Sequence, residues 1–103
     1  MIIVKNNDID LGTIDFGKPY FFSFKINNGY PEVLYIDTLL SGCASCTEAT
    51  IDRSTLFPGE DAEIKVIFTP GSLGYQKKKI TIINHTLKKK EQNVVLSFKA
   101  TVH

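Results

Sequence analysis

The sequence predicts an all-β domain, seven short strands folded into two packed antiparallel sheets. Three observations predict it. Apolar and polar residues alternate with period two along most segments, the spacing that puts every second side chain on one face of a strand. No window sustains the i, i+3, i+4, i+7 apolar pattern of an amphipathic helix. Turn-forming residues interrupt the chain at short intervals: Asp10-Leu11-Gly12-Thr13, Asn27-Asn28-Gly29, Pro58-Gly59-Glu60, Phe68-Thr69-Pro70 and Gly74.

Taken in order, Ile9, Leu11 and Ile14 form an irregular first strand broken near Gly12. Tyr20 to Ile26 is the second, with Phe22, Phe24 and Ile26 on one face and Phe21, Ser23 and Lys25 on the other. Asn28-Gly29 then reads as a tight turn, because both residue types tolerate positive φ. Val33 to Leu40 is the third strand, with Leu34 and Ile36 inward. A cysteine-bearing loop precedes a short fourth strand over Ala49 to Asp52. After the Pro58-Gly59-Glu60 turn, Ala62, Ile64, Val66 and Phe68 alternate with Glu63, Lys65 and Ile67. Ile80 and Ile82 mark the sixth strand, opened by Lys77-Lys78-Lys79. The seventh is the most regular, with Val94, Leu96, Phe98, Ala100 and Val102 inward. Seven strands so punctuated read as a seven-stranded immunoglobulin-like antiparallel β-sandwich. The rival is an up-and-down barrel, whose closure takes about eight strands or more. The expected core is Phe22, Phe24, Ile36, Ile64, Val66, Phe68, Ile82, Leu96 and Phe98.

The 103 residues make a single domain, with no repeat or linker. Twelve basic residues against 11 acidic leave a net charge of +1, which carries no global signal for nucleic acid or an anionic membrane. No apolar stretch approaches the ~20 residues that span a bilayer. The apolar run in Met1-Ile2-Ile3-Val4 is too short for a signal peptide. The expectation is therefore a cytoplasmic or virion location, where two cysteines default to free thiols. Asn84-His85-Thr86 matches a glycosylation sequon that would then stand idle.

The order of these marks resembles that of bacterial immunoglobulin-like domains of unknown function carrying a short cysteine motif. More distantly, it is similar to ASH/hydin and major-sperm-protein-like domains. The residues that carry the resemblance are Asp10-Leu11-Gly12, Gly17, Asn27-Asn28-Gly29, Cys46-Thr47, Pro58-Gly59-Glu60, Phe68-Thr69-Pro70, Gly74 and Asn84. Together they span about residues 9 to 102. Cys43 and Cys46 flank two residues where the family's cysteines flank one, and Ala100 stands where the family has a glycine. The resemblance implies the fold and a non-catalytic binding or scaffolding role.

Cys43-Ala44-Ser45-Cys46 is the one motif with chemical potential. A thioredoxin-type site needs its first thiolate at a helix N-terminus, where the dipole lowers the pKa. The β-branched run from Thr47 to Asp52 offers no such helix. Structural zinc needs about four ligands, and only His85 and His103 stand beside the cysteines. His85 ends the sixth strand, opposite to the cysteine loop and ~25 Å from it for eight-residue strands. The reading is a tight loop with a thiol pair, Cys43 and Cys46, able to form a strained local disulfide on oxidation, and no metal, cofactor or catalytic residue. Serines without a nucleophile elbow and Gly71-Ser72-Leu73-Gly74 without a following Gly-Lys suggest neither hydrolase nor phosphate loop.

Lys77-Lys78-Lys79 and Lys88-Lys89-Lys90 are the other feature. Charge runs commonly protect strand edges or solvate loops. The functional reading groups Lys88, Lys89 and Lys90 with Tyr30 and Arg53, because alternate loops of such sandwiches cluster at one end. That end would meet an acidic protein surface. The expected function is a non-catalytic structural or interaction module whose partner is another protein, a second copy or a virion or scaffold component. Loops or strand addition at an exposed sheet edge would capture it. Nucleic acid binding and membrane insertion are not expected. The alternatives are a phage virion decoration protein, suited to the Ile-, Lys- and Asn-rich composition, and a thiol redox protein using Cys43 and Cys46.

Overall fold

Where apolar residues alternate, strands form and turn one row of side chains inward. The computed structural model describes residues 1–42 and 46–103. Its strands are β1 (Ile2–Val4), β2 (Asp8–Ile14), β3 (Tyr20–Asn28), β4 (Leu34–Ser41), β5 (Thr47–Ile51), β6 (Thr55–Leu56), β7 (Asp61–Phe68), β8 (Gly74–His85) and β9 (Gln92–Val102). They form a four-stranded sheet, β1-β3-β7-β5, packed on a five-stranded sheet, β2-β9-β8-β4-β6. No helix occurs among the described residues.

The core lies between the sheets. Phe24, Ile26, Ile64, Val66 and Phe68 of the four-stranded sheet meet Leu34, Ile80, Ile82, Leu96 and Phe98 of the other, all buried. Phe98 packs edge-to-face on Phe68 at 5.0 Å and on Phe22 at 4.9 Å between ring centroids, an orientation that sets a ring edge against a π face. Of the expected core residues, all but the half-buried Phe22 are buried. Phe22 faces inward and packs edge-to-face on Phe24 as well, at 5.9 Å between ring centroids.

Four expectations change. The described residues hold nine strands, not seven. Strands β1 and β6 have three and two residues, too short to display a period. The sheets are not wholly antiparallel, since β2 runs parallel to β9, with a bulge between Asp10 and Thr13. Alternation reports which face is buried and is silent on direction. Asn28 and Gly29 make no positive-φ turn. Asn28 closes β3, and among the described residues only Gly12, Gly17, Gly59 and Gly74 have positive φ. A Cβ on Gly29 would stand 2.8 Å from the Met1 carbonyl oxygen, so this glycine admits β1 alongside. Finally, β8 begins at Gly74, and Lys77, Lys78 and Lys79 lie inside it.

The strands run along the long axis of a 46 × 20 × 18 Å body, so its two ends are well separated. One end gathers the β3–β4, β6–β7 and β8–β9 connections. The other carries Cys46, at the entry to β5, and the start of β8.

Candidate functional site

The loop end is tied together by its own backbone. Asn28, 1% exposed, donates from Nδ2 to the carbonyls of Glu32 and Leu56, each at 2.9 Å, and its Oδ1 accepts from Tyr30 N at 2.9 Å. Its own N–H donates to the Glu60 carbonyl at 3.0 Å and its carbonyl accepts from Gly59 N at 2.9 Å. One buried residue thus joins the β3–β4 connection and the end of β6 through its side chain and the β6–β7 turn through its backbone. That turn needs Gly59, whose φ of 84° is costly for other residues. Glu60 closes it by accepting from Phe57 N at 2.8 Å.

Tyr30 joins the third connection. Its hydroxyl donates to Gln92 Oε1 at 2.9 Å, and Lys89 Nζ stands 5.4 Å from the centroid of its ring, within cation–π range. The lysine loop is itself a closed turn. Thr86 N donates to the Lys89 carbonyl at 3.0 Å, and Lys89 N donates to Thr86 Oγ1 at 3.0 Å. Lys88, Lys89 and Lys90 are exposed, and among the described residues none of them forms an ion pair.

The structure therefore brings Tyr30 and Lys88–Lys90 together. Arg53 lies at the same end but is engaged, with Nη1 3.0 Å from Glu60 Oε2; it braces the β6–β7 turn. Residues that the sequence reading passed over complete the surface. Leu87 is 86% exposed beside the lysines, and Phe57 is 59% exposed on the next turn. On the adjoining outer face of the five-stranded sheet, His85 stacks on Tyr35 at 5.0 Å and sets Nδ1 2.8 Å from Asp37 Oδ2. The adjacency of Leu87 to three lysines was a usable signal for an exposed tip. The Tyr35–Asp37–His85 group depends on strand register and had none.

At the opposite end, Cys46 is half-buried, and its carbonyl accepts from Thr69 N at 2.8 Å. Cys46 is disulfide-bonded, the bridged alternative rather than the free-thiol default. Cys43 lies outside the described residues. Strand β5 follows Cys46, so no helix dipole acts on the sulfur. His85 is at the far end, and His103 pairs with Asp15, Nε2 to Oδ1, at 2.9 Å. Among the described residues no three His, Cys, Asp or Glu side chains converge to hold a metal ion. Asn84 is 1% exposed and donates to the Ile82 and Gln92 carbonyls, so the sequon is sealed in the fold.

A family model described as "Protein of unknown function (DUF1573)" matches residues 2–102. No match is found among curated proteins. Among solved structures, the chain is similar to Vibrio cholerae VesB protease at 12% identity and a TM-score of 0.83, covering 97% of this chain and 31% of that one. It is similar to the ASH/PapD-like domain 7 of human CEP192 at 13% identity and a TM-score of 0.74, covering 99% and 84%. It is also similar to SSP-19, an MSP-domain protein of Caenorhabditis elegans, at 12% identity and a TM-score of 0.69, covering 95% and 97%. At these identities the likeness is one of fold.

Proposed function

The chain belongs to the DUF1573 family of proteins of unknown function, and on that premise we propose that it is a non-catalytic protein-interaction module whose partner surface is the loop end. The observation that carries the reading is the braced platform at that end. Tyr30 ties the β3–β4 connection to β9 and the lysine loop, Asn28 ties it to the β6–β7 turn, and three exposed lysines stand beside the exposed Leu87. A pre-ordered surface loses little freedom on binding. Lysines at its rim steer an acidic partner, while Tyr30, Leu87 and Phe57 supply area to bury. The ASH and MSP-domain likenesses support a module that works by binding. The VesB protease likeness covers 31% of that chain, so it lends no catalytic role. The virion alternative gains no support from these relatives.

The test takes two steps. A photo-cross-linking residue at Leu87 is expected to capture the partner from the source cell, whereas the same residue at Thr101, exposed on the five-stranded sheet at the opposite end, is not. The captured protein then binds the wild type and the Lys88→Ser/Lys89→Ser/Lys90→Ser variant over a range of ionic strength. The variant is expected to associate about tenfold more slowly at low salt and to show a flatter salt dependence. Equal rates and equal slopes would remove the lysine loop from the binding surface.

A further inference from the structure

Edge strands offer unpaired N–H and C=O groups to any passing strand, and proteins blunt them with shortness, bulges, proline or lysine. Several edges here carry such a device, though the stretch of β3 from Tyr20 to Phe24, past its last β1 partner, does not. Strands β1 and β6 have three and two residues. Strand β2 is bulged at Gly12. The stretch of β8 that runs on past its last β4 partner holds Lys77, Lys78 and Lys79. Strand β5 differs. Thr47-Glu48-Ala49-Thr50-Ile51 pairs with β7 in unbroken register and contains no glycine, proline, lysine or bulge.

The ladder fixes which of its groups are open. Thr69 N donates to the Cys46 carbonyl, and Asp52 N donates to the Glu63 carbonyl. Bonded pairs alternate in an antiparallel ladder, so residues 46, 48, 50 and 52 turn their backbone toward β7. Thr47, Ala49 and Ile51 turn theirs away. The Thr47 carbonyl accordingly accepts from Ser41 Oγ at 3.3 Å. Ala49 and Ile51 are left with an N–H and a C=O each at the open edge.

We propose that this edge captures an extended segment of a protein partner in which apolar residues alternate with basic ones. The inward neighbours, Ala49 and Ile51, are half-buried and apolar. The outward ones are Glu48 and Thr50, and they border a shallow concavity of about 440 Å³ that also takes in Phe21, Phe22, Lys65 and Ile67. Glu48, Asp52 and Glu63 outnumber Lys65 and Lys25 on this side, leaving it net acidic. A lysine on the added strand can lay its stem along the concavity and bring its ammonium to Glu48. Self-pairing about Thr50 would set Glu48 opposite Asp52 of a second copy, a like-charge contact that sheets disfavour. The inference rests on the interaction-module reading and adds a second surface at the side of the sandwich.

The probe is a fluorescein-labelled octapeptide of alternating valine and lysine, followed by anisotropy beside its valine–glutamate counterpart. The wild type is expected to bind the lysine peptide about tenfold more tightly than the glutamate one, and Glu48→Lys to reverse the order. Ala49→Pro removes an outward N–H without costing a ladder bond and is expected to abolish binding. An N-methylated lysine peptide, which blocks the same pairing from the other side, is expected to fail on the unaltered protein. The Lys88→Ser/Lys89→Ser/Lys90→Ser variant is expected to bind the peptide as the wild type does, so failure at the loop end and failure at β5 read out separately. No binding by the wild type, no preference between the peptides, or unchanged binding of the N-methylated peptide would overturn the proposal. So would a concentration-dependent dimer of the protein that Ala49→Pro dissolves.

Discussion

Every polar atom of Asn28 is bound to backbone, and the loop end depends on it. Asn28→Ala would leave the Glu32 and Leu56 carbonyls and the Tyr30 N–H without the partners they have now. Unpaired buried groups cost about 1–3 kcal/mol each, and water can reach some of these. The expected loss is about 2–4 kcal/mol, read from chemical denaturation, with raised amide exchange at residues 29–33. Phe68 is the corresponding apolar case. It is fully buried and packs edge-to-face on Phe98, so Phe68→Ala is expected to cost about 3–5 kcal/mol. A change below about 1 kcal/mol would place Phe68 outside the core. The alternating residues of β7 announced Phe68. Nothing in the sequence distinguished Asn28 from a turn asparagine, because its role is set by carbonyls of residues 32, 56 and 60, which only the folded chain brings to it.

Among the elements, length decided what could be read. Strands β3, β7 and β9 have at least eight residues and alternate throughout, and all three were legible. Strand β1 was not. Three residues cannot show a period, and its site beside β3 depends on Gly29. Gly29→Ala would push a methyl group to 2.8 Å from the Met1 carbonyl oxygen and 3.0 Å from Ile3 Cδ1. The backbone has to shift, so β1 is expected to detach: its amides lose exchange protection while those of β7 keep theirs. Retained protection at Ile3 and Val4 would show that the contact relaxes in place. The lysines of β8 illustrate a different limit. Their composition suggested a loop or a protected edge, and only the register revealed that they extend a strand beyond its neighbour. Parallel pairing of β2 with β9 was equally hidden, since direction leaves no trace in a pattern of faces.

For the whole molecule, a net charge of +1 conceals a divided surface. Lys88, Lys89 and Lys90 crown the loop end. Lys77 and Lys99 stand directly opposite each other on β8 and β9, while Glu48, Asp52 and Glu63 gather along β5 and β7. Composition averages these regions away, which is why the sequence alone identified no partner chemistry beyond the lysine runs. The candidate site was legible in part: Tyr30 and the lysine loop do converge, whereas Arg53 is engaged by Glu60 at the surface. The fold places the two proposed surfaces apart, one at the end of the sandwich and one along its side.

The most direct measurement is a hydrogen-exchange footprint of the protein with the partner captured through Leu87, against the free protein. The platform account predicts added protection at residues 29–33, 57–60 and 86–91, with β5 protected in addition only when a strand also pairs there. Protection confined to the cysteine end, or spread evenly over both sheets with none in the lysine loop, would contradict it.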